Sequence, residues 1–172
     1  MRAPQARKRL FFALWPDAAQ RRQLTERLRP LLPQIPGKAV PPANYHITLV
    51  FIGGFAESRI AELRRRAGAI AFEPFELVLD HFEYWKTPRI VCLAASQVPP
   101  ALADLVENLN AASRPLGFVP EERRYRPHMT LVRKAPAHPA AGLDTAITMH
   151  WTNFELVESI SAEDGVRYQP LR

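Results

Sequence analysis

The chain has 172 residues, 47% of them hydrophobic and 23% charged, with a formal net charge of +6. These proportions suit a folded globular chain of one domain, or two small lobes sharing a core, and exclude a disordered tail. No apolar run approaches the roughly 20 residues of a membrane-spanning helix, and a single cysteine, Cys92, excludes an internal disulfide or a multi-cysteine zinc site.

The N-terminal "MRAPQARKRL" is basic, but the apolar stretch after it is too short for a secretory leader, so a cytoplasmic protein is expected. "RLFFALW" (9–15) predicts a strand. "PDAAQRRQLTERLRPLL" (16–32) predicts a helix, with Leu24, Leu28 and Leu31/Leu32 at helical spacing. A proline-rich loop leads to "YHITLVFI" (45–52), a strand closed by Gly53-Gly54. "AESRIAELRRRAGAIA" predicts an amphipathic helix with Ile60, Leu63 and Ala67 inward and Arg64, Arg65 and Arg66 outward. "FELVLDHFEYW" and "RIVCLAA" predict two strands joined by a hairpin turn at "KTP". Cys92 lies in the second as a buried, inert thiol. "PPALADLVENLNAASRPLG" predicts a third helix, with proline at its start and Gly117 past its end. The loop "FVPEERRYRP" leads to a second strand, "HMTLVR". After a further proline-rich stretch, "ITMHWTNFELVESI" and "VRYQPLR" predict closing strands joined by a turn at "AEDG". We expect one domain over 1–172 of mixed α/β (α+β) class. Its two pseudo-symmetric lobes, each an antiparallel-rich sheet with outer helices, would flank a central cleft.

One pattern occurs twice. "YHITLVF" and "PHMTLVR" share His-x-Thr-Leu-Val, although the chain has only five histidines. Side chains alternate along a strand. His46 and Thr48 therefore share one face and Ile47, Leu49 and Phe51 the other, and His128 and Thr130 likewise oppose Met129 and Leu131. Each strand would bury one face and present an imidazole and a hydroxyl. A lone histidine in an apolar strand is usually structural, but the duplication reverses that expectation. Two imidazoles across a cleft suit acid–base chemistry near neutrality, one giving a proton and the other taking one. Two threonine hydroxyls could hold an anion between them, and a phosphate fits that frame. Arg133 would add a charge-assisted contact. Strict alternation places it on the wrong face, so it reaches the cleft only if the strand ends, twists or bulges.

Around the motifs, Tyr125 could stack on a terminal base, with Arg123, Arg124 and Arg126 along an RNA backbone; a solvated basic loop is the alternative. Phe11 and Phe12 read as core, and Trp85 as a packing residue. His81, His138 and His150 lack the threonine and receive no role. Neither motif has a carboxylate within three residues, so no metal and no cofactor are expected. The 19 arginines and 4 lysines favour an anionic partner such as nucleic acid, although a GC-rich coding bias alone would also raise arginine and proline.

The paired H-x-T-L motifs resemble the 2H phosphoesterase superfamily, as do "RLFFALWPD", "NYHITLVFIG", "YWKTPRI", "YRPHMTLVRK" and "FELVES". Within it they look most like the bacterial RNA 2′,3′-cyclic phosphodiesterases, once called 2′-5′ RNA ligases. The resemblance covers nearly the whole chain and implies a bilobal fold. It also implies hydrolysis of 2′,3′-cyclic phosphate ends to 2′-phosphates without metal and, for some members, joining of RNA through a 2′-5′ bond. It gives His46 as proton donor to the departing 3′ oxygen and His128 as the acceptor that activates water; the residues alone leave these roles interchangeable. Thr48, Thr130 and Arg133 match phosphate-holding positions. The expected partners are RNA or nucleotides with a 2′,3′-cyclic phosphate end, and a monomer is expected. The alternatives are a 2H enzyme acting on another cyclic or 2′-5′ phosphodiester, and a non-catalytic RNA-binding module.

Overall fold

A computed structural model describes residues 6–163 and 165–172; the first half of the basic N-terminus (1–5) and Asp164, in the expected "AEDG" turn, lie outside the described residues. The elements in chain order are β1 (Arg7–Leu14), α1 (Ala18–Leu28), β2 (Lys38–Ala39), β3 (Ile47–Ala56), α2 (Ile60–Gly68), β4 (Phe75–Leu79), β5 (His81–Trp85), β6 (Ile90–Ala94), α3 (Pro100–Ser113), β7 (His128–Arg133), β8 (Ile147–Trp151), β9 (Glu155–Ala162) and β10 (Gly165–Pro170). Two four-stranded sheets have the orders β10-β9-β1-β3 and β2-β7-β6-β5, and β4 and β8 form a separate pair. The pairings between these strands are antiparallel. This matches the expected mixed class with antiparallel-rich sheets.

The two motif strands occupy corresponding places. β1 pairs with β3 across α1, and β6 pairs with β7 across α3. One apolar cluster joins both units: Leu10, Phe12, Ile47 and Leu49 from the first sheet, Leu93, Met129 and Leu131 from the second, and Leu24, Leu63 and Leu109 from the three helices. Local signals set the helix ends. Asp17 closes a capping box with Gln20 at the start of α1. α1 stops at Leu28, so Leu31 and Leu32 lie beyond it and pack on the core from the following turn; Pro30 cannot continue the helix.

Three expected strands differ. "FELVLDHFEYW" is two strands in different sheets, β4 and β5, broken at Asp80. Asp80 donates its amide to the Ala94 carbonyl, and its carboxylate accepts from the amide and hydroxyl of Ser96. "ITMHWTNFELVESI" divides the same way into β8 and β9 around residues 152–154. The first motif strand does not end at Gly53-Gly54 but continues to Ala56; Gly53 takes φ +75 beside an unpaired Ile52, a bulge that glycine accommodates.

Candidate active site

The motif strands share one irregularity that follows from their shared sequence. In the β1–β3 ladder Phe12 faces Val50 and Ala13 faces Thr48, leaving Leu49 without a partner. In the β6–β7 ladder Val91 faces Val132 and Cys92 faces Thr130, leaving Leu131 without a partner. The repeated leucine is thus the bulged residue in both copies. Leu49 and Val50 are both buried, as are Leu131 and Val132. An extra residue in one strand shifts the alternation by one. The next side chain therefore returns to the face of the histidine and threonine. That residue is Arg133 in the second copy, which resolves its placement, and Phe51 in the first. Phe51 is accordingly 41% exposed, not core as alternation alone implies, and lies under the Arg9 guanidinium, 4.9 Å from ring centroid to Cζ.

The histidines are held alike. His46 precedes β3 and His128 opens β7. The Nδ1 of His46 lies 2.7 Å from the Asn44 carbonyl oxygen, and that of His128 lies 2.7 Å from the Arg126 carbonyl oxygen. A carbonyl only accepts, so each Nδ1 carries the proton, and each neutral ring keeps its Nε2 lone pair free. Aromatic rings fix both planes. Trp15 stacks on His46 at 5.5 Å, with Phe11 at 5.1 Å and Tyr168 at 5.0 Å. Trp85 lies 4.2 Å from His128. Burial pushes the His46 pKa down to about 4, helped by the charges of Arg133 and His128 and opposed by the Asn44 bond. Burial, then the Arg126 charge, also lowers that of His128.

Two cavities flank the pair, and the motifs cross between them. An aromatic cavity of about 500 Å³ takes Thr48 and Phe51 from the first motif with His128 from the second, alongside Trp85, Phe118 and Tyr125. A cationic cavity of about 390 Å³ takes His46 from the first motif with Thr130 and Arg133 from the second, alongside Lys38, Arg167 and Tyr168. Each histidine thus shares a cavity with the threonine of the other motif. Tyr125 ties the halves together, its hydroxyl donating to the Thr48 carbonyl at 3.0 Å. Only its ring is then left to meet a ligand, and burial raises the phenol's pKa.

Other expectations have clear outcomes. Cys92 is fully buried and its thiol is pushed up to about 12, chiefly by desolvation; such a thiol is inert. His81 pairs with Asp80, and the His138 Nδ1 lies 2.9 Å from the Pro139 carbonyl oxygen. Arg65 and Arg66 pair with Glu62 on the outer face of α2. Trp85 does more than close the hairpin: it lies against His128 and lines the aromatic cavity, and Phe11, although buried, contacts His46. Trp15 and Tyr168 carried no sequence signal, because they reach His46 from the end of β1 and from the last strand.

A family model for "LigT like Phosphoesterase" matches residues 14–92, which include the first motif. An RNA 2′,3′-cyclic phosphodiesterase of Escherichia coli is 32% identical over 168 residues, spanning 96% of this chain and 94% of its own. An enzyme of the same name from Archaeoglobus fulgidus is 28% identical, with 95% of this chain and 98% of its own aligned. The crystal structure of E. coli LigT complexed with 3′-AMP superposes with a TM-score of 0.86 at 31% identity, covering 97% of each chain.

Proposed function

The chain belongs to the LigT-like phosphoesterase family of the 2H superfamily and is a cyclic phosphodiesterase, and we propose that it opens RNA 2′,3′-cyclic phosphate ends to 2′-phosphomonoesters by metal-independent two-histidine catalysis. One observation carries the reading: the crossed arrangement, in which the cavity of His128 takes Thr48 and the cavity of His46 takes Thr130 and Arg133, with each histidine's Nδ1 held by a carbonyl. His128 takes a proton from water as the water oxygen attacks phosphorus. The P–O3′ bond opposite breaks, and His46 gives its proton to the departing O3′. The phosphate stays on O2′, and the histidines exchange their protons with solvent before the next cycle. Thr48 and Thr130 donate to the remaining phosphate oxygens, and Arg133 offsets their charge. The terminal base enters the aromatic cavity, where Tyr125 and Phe51 offer ring faces. No helix of the described chain is long and apolar enough to cross a membrane.

The test is a chelator-containing assay on an oligonucleotide with a 2′,3′-cyclic phosphate end. We expect a 2′-phosphate product, and a loss of about 10²–10⁴ in rate for His46→Ala or His128→Ala with an unchanged circular dichroism spectrum. Full activity in either variant would refute the histidine mechanism. Retained RNA affinity in a wild-type protein without turnover would support a binding module instead. The same two imidazoles allow a second use of this chemistry. In 2′-5′ joining, the 5′-hydroxyl of another strand takes the place of water.

A further inference from the structure

We propose that Glu83 is a positioning residue for the His128 base, acting through Arg126 and Trp85. This rests on the reading of the cleft given above, in which His128 takes the proton. Two restraints on His128 start from Arg126. The Arg126 carbonyl oxygen lies 2.7 Å from Nδ1 and sets the tautomer. The Arg126 guanidinium lies over Trp85, 5.6 Å from Cζ to ring centroid, and the Trp85 ring lies 4.2 Å from that of His128. Arg126 is held in turn, since its guanidinium pairs with the Glu83 carboxylate. Glu83 and Trp85 are two residues apart on β5, so alternation puts both on one face, and a single flat guanidinium meets both. That face is the one that carries Thr130, because Glu83 stands opposite Cys92 and Cys92 opposite Thr130 in the ladders. Pro127 stiffens the short span from this clamp to the imidazole, and its carbonyl accepts from the Ala95 amide at 3.4 Å.

Glu83 does not line the aromatic cavity, whereas Arg126, Trp85 and His128 do. Its carboxylate therefore acts on the base without touching the ligand. Four other charged side chains line that cavity, Lys86, Glu121, Arg123 and Arg124, and none of these cations lies over the ring that touches His128. His46 and Arg133 border the other cavity. His46 is also held differently. Its rings are Trp15, Phe11 and Tyr168, and no guanidinium lies over them among the described residues. A change of charge at the clamp thus reaches His128 first. The two members of the clamp act with opposite sign. Burial first, and the Arg126 charge after it, hold His128 below the ordinary imidazole value, against the pull of its backbone bond. Without Glu83 the guanidinium is unopposed, and imidazolium is disfavoured further. Without Arg126 the carboxylate is unopposed, and imidazolium is favoured.

The test compares wild type, Glu83→Gln, Arg126→Gln and the double variant. The first readout is the titration of the His128 ring nitrogens by NMR in the free protein, with the signals identified by their loss in His128→Gln. We expect Glu83→Gln to move the titration to lower pH by about half a unit and Arg126→Gln to move it up by about as much. His46 should move clearly less. The second readout is hydrolysis of adenosine 2′,3′-cyclic phosphate on the pH plateau. In Glu83→Gln, kcat should fall at least about fivefold through lost orientation of the base, with KM within about twofold. The double variant should be no slower than Arg126→Gln, because Glu83 has no other route to the base. A half-exposed ion pair adds little to stability, so thermal unfolding should hardly change. Titrations that stay put, move in the same direction, or move His46 as far as His128 overturn the proposal. So do losses that add in the double variant, or a raised KM with kcat unchanged, since the pair would then serve binding. Glu83→Gln keeps size and shape, and its shift decides alone if Arg126→Gln does not fold. A wild type that ignores the cyclic nucleotide would overturn the proposed function instead, while the titrations would still judge the clamp.

Discussion

His46 and His128 each give the Nδ1 proton to a carbonyl two residues back, yet a proton donor must also carry one on Nε2. With its pKa held down to about 4 by burial, His46 is neutral at pH 7. Bringing it to half-protonation there takes about 4 kcal/mol, three pKa units at 1.36 kcal/mol each. A single anionic charge about 4 Å away supplies roughly that much at an effective dielectric constant near 20. The sign follows directly. An anion favours imidazolium, the pKa rises on binding, and the complex takes up a proton at pH 7. Calorimetry of a slowly hydrolysed cyclic phosphorothioate, in two buffers of different ionisation heat, should show uptake of about half to one proton. That uptake should vanish in His46→Gln. Identical heats after buffer correction would mean that the donor's proton does not arrive with the substrate. The imidazoles and hydroxyls were legible in the sequence because the motif repeats. The rings that desolvate His46 were not, since Trp15, Phe11 and Tyr168 come from two strands far apart in the chain.

At the level of elements, the repeated Leu-Val is the informative detail. Two successive apolar residues break an alternating strand, and their recurrence at the same offset in both copies was the available sign of a bulge. Reading the strands as strictly alternating put Phe51 in the core and left Arg133 stranded; the bulges at Leu49 and Leu131 move both into the cleft. The helices were legible from their periodicity and end signals. The strand breaks at Asp80 and at 152–154 were less so, because no glycine or proline marks the change of sheet within 75–85. Gly37 shows what holds the second bulge in place. It has φ +133, and a Cβ there would come within 2.6 Å of Val132 Cγ1 and 2.7 Å of the Arg133 carbonyl oxygen. Residue 37 immediately precedes β2, which pairs with Val132 and Arg133. Gly37→Ala should therefore cost on the order of 1–3 kcal/mol in denaturant unfolding, through strain and overpacking. Because the clash falls on the strand segment that carries Arg133, turnover should drop further than the lost stability explains. A variant as stable and active as wild type would show that β7 does not depend on this close approach.

Across the whole molecule, the net charge of +6 is not spread evenly in its effect. Most of the ion pairs lie away from the cleft, as with Lys8 and Glu158 or Arg65 and Glu62, whereas Lys38, Arg133 and Arg167 on one side and Lys86 and Arg124 on the other border it with no carboxylate partner among the described residues. Unpaired cations on both flanks of a central reaction point form a track rather than a spot. A mononucleoside cyclic phosphate presents one phosphate to such a track, and an RNA end presents several. Each phosphate neutralised on a single strand contributes about −0.7 to the slope of log affinity against log salt. If about three contacts form, an oligonucleotide with a 2′,3′-cyclic phosphate end should show a slope near −2 in kcat/KM at subsaturating substrate. The mononucleotide should show a slope weaker than about −1. Lys86→Ala/Arg124→Ala should flatten the first slope toward the second and leave the mononucleotide rate nearly unchanged, since neither residue touches the catalytic phosphate. Equal slopes for the two substrates would mean that the basic balance of the chain does not serve RNA and would favour a small cyclic nucleotide as the natural substrate.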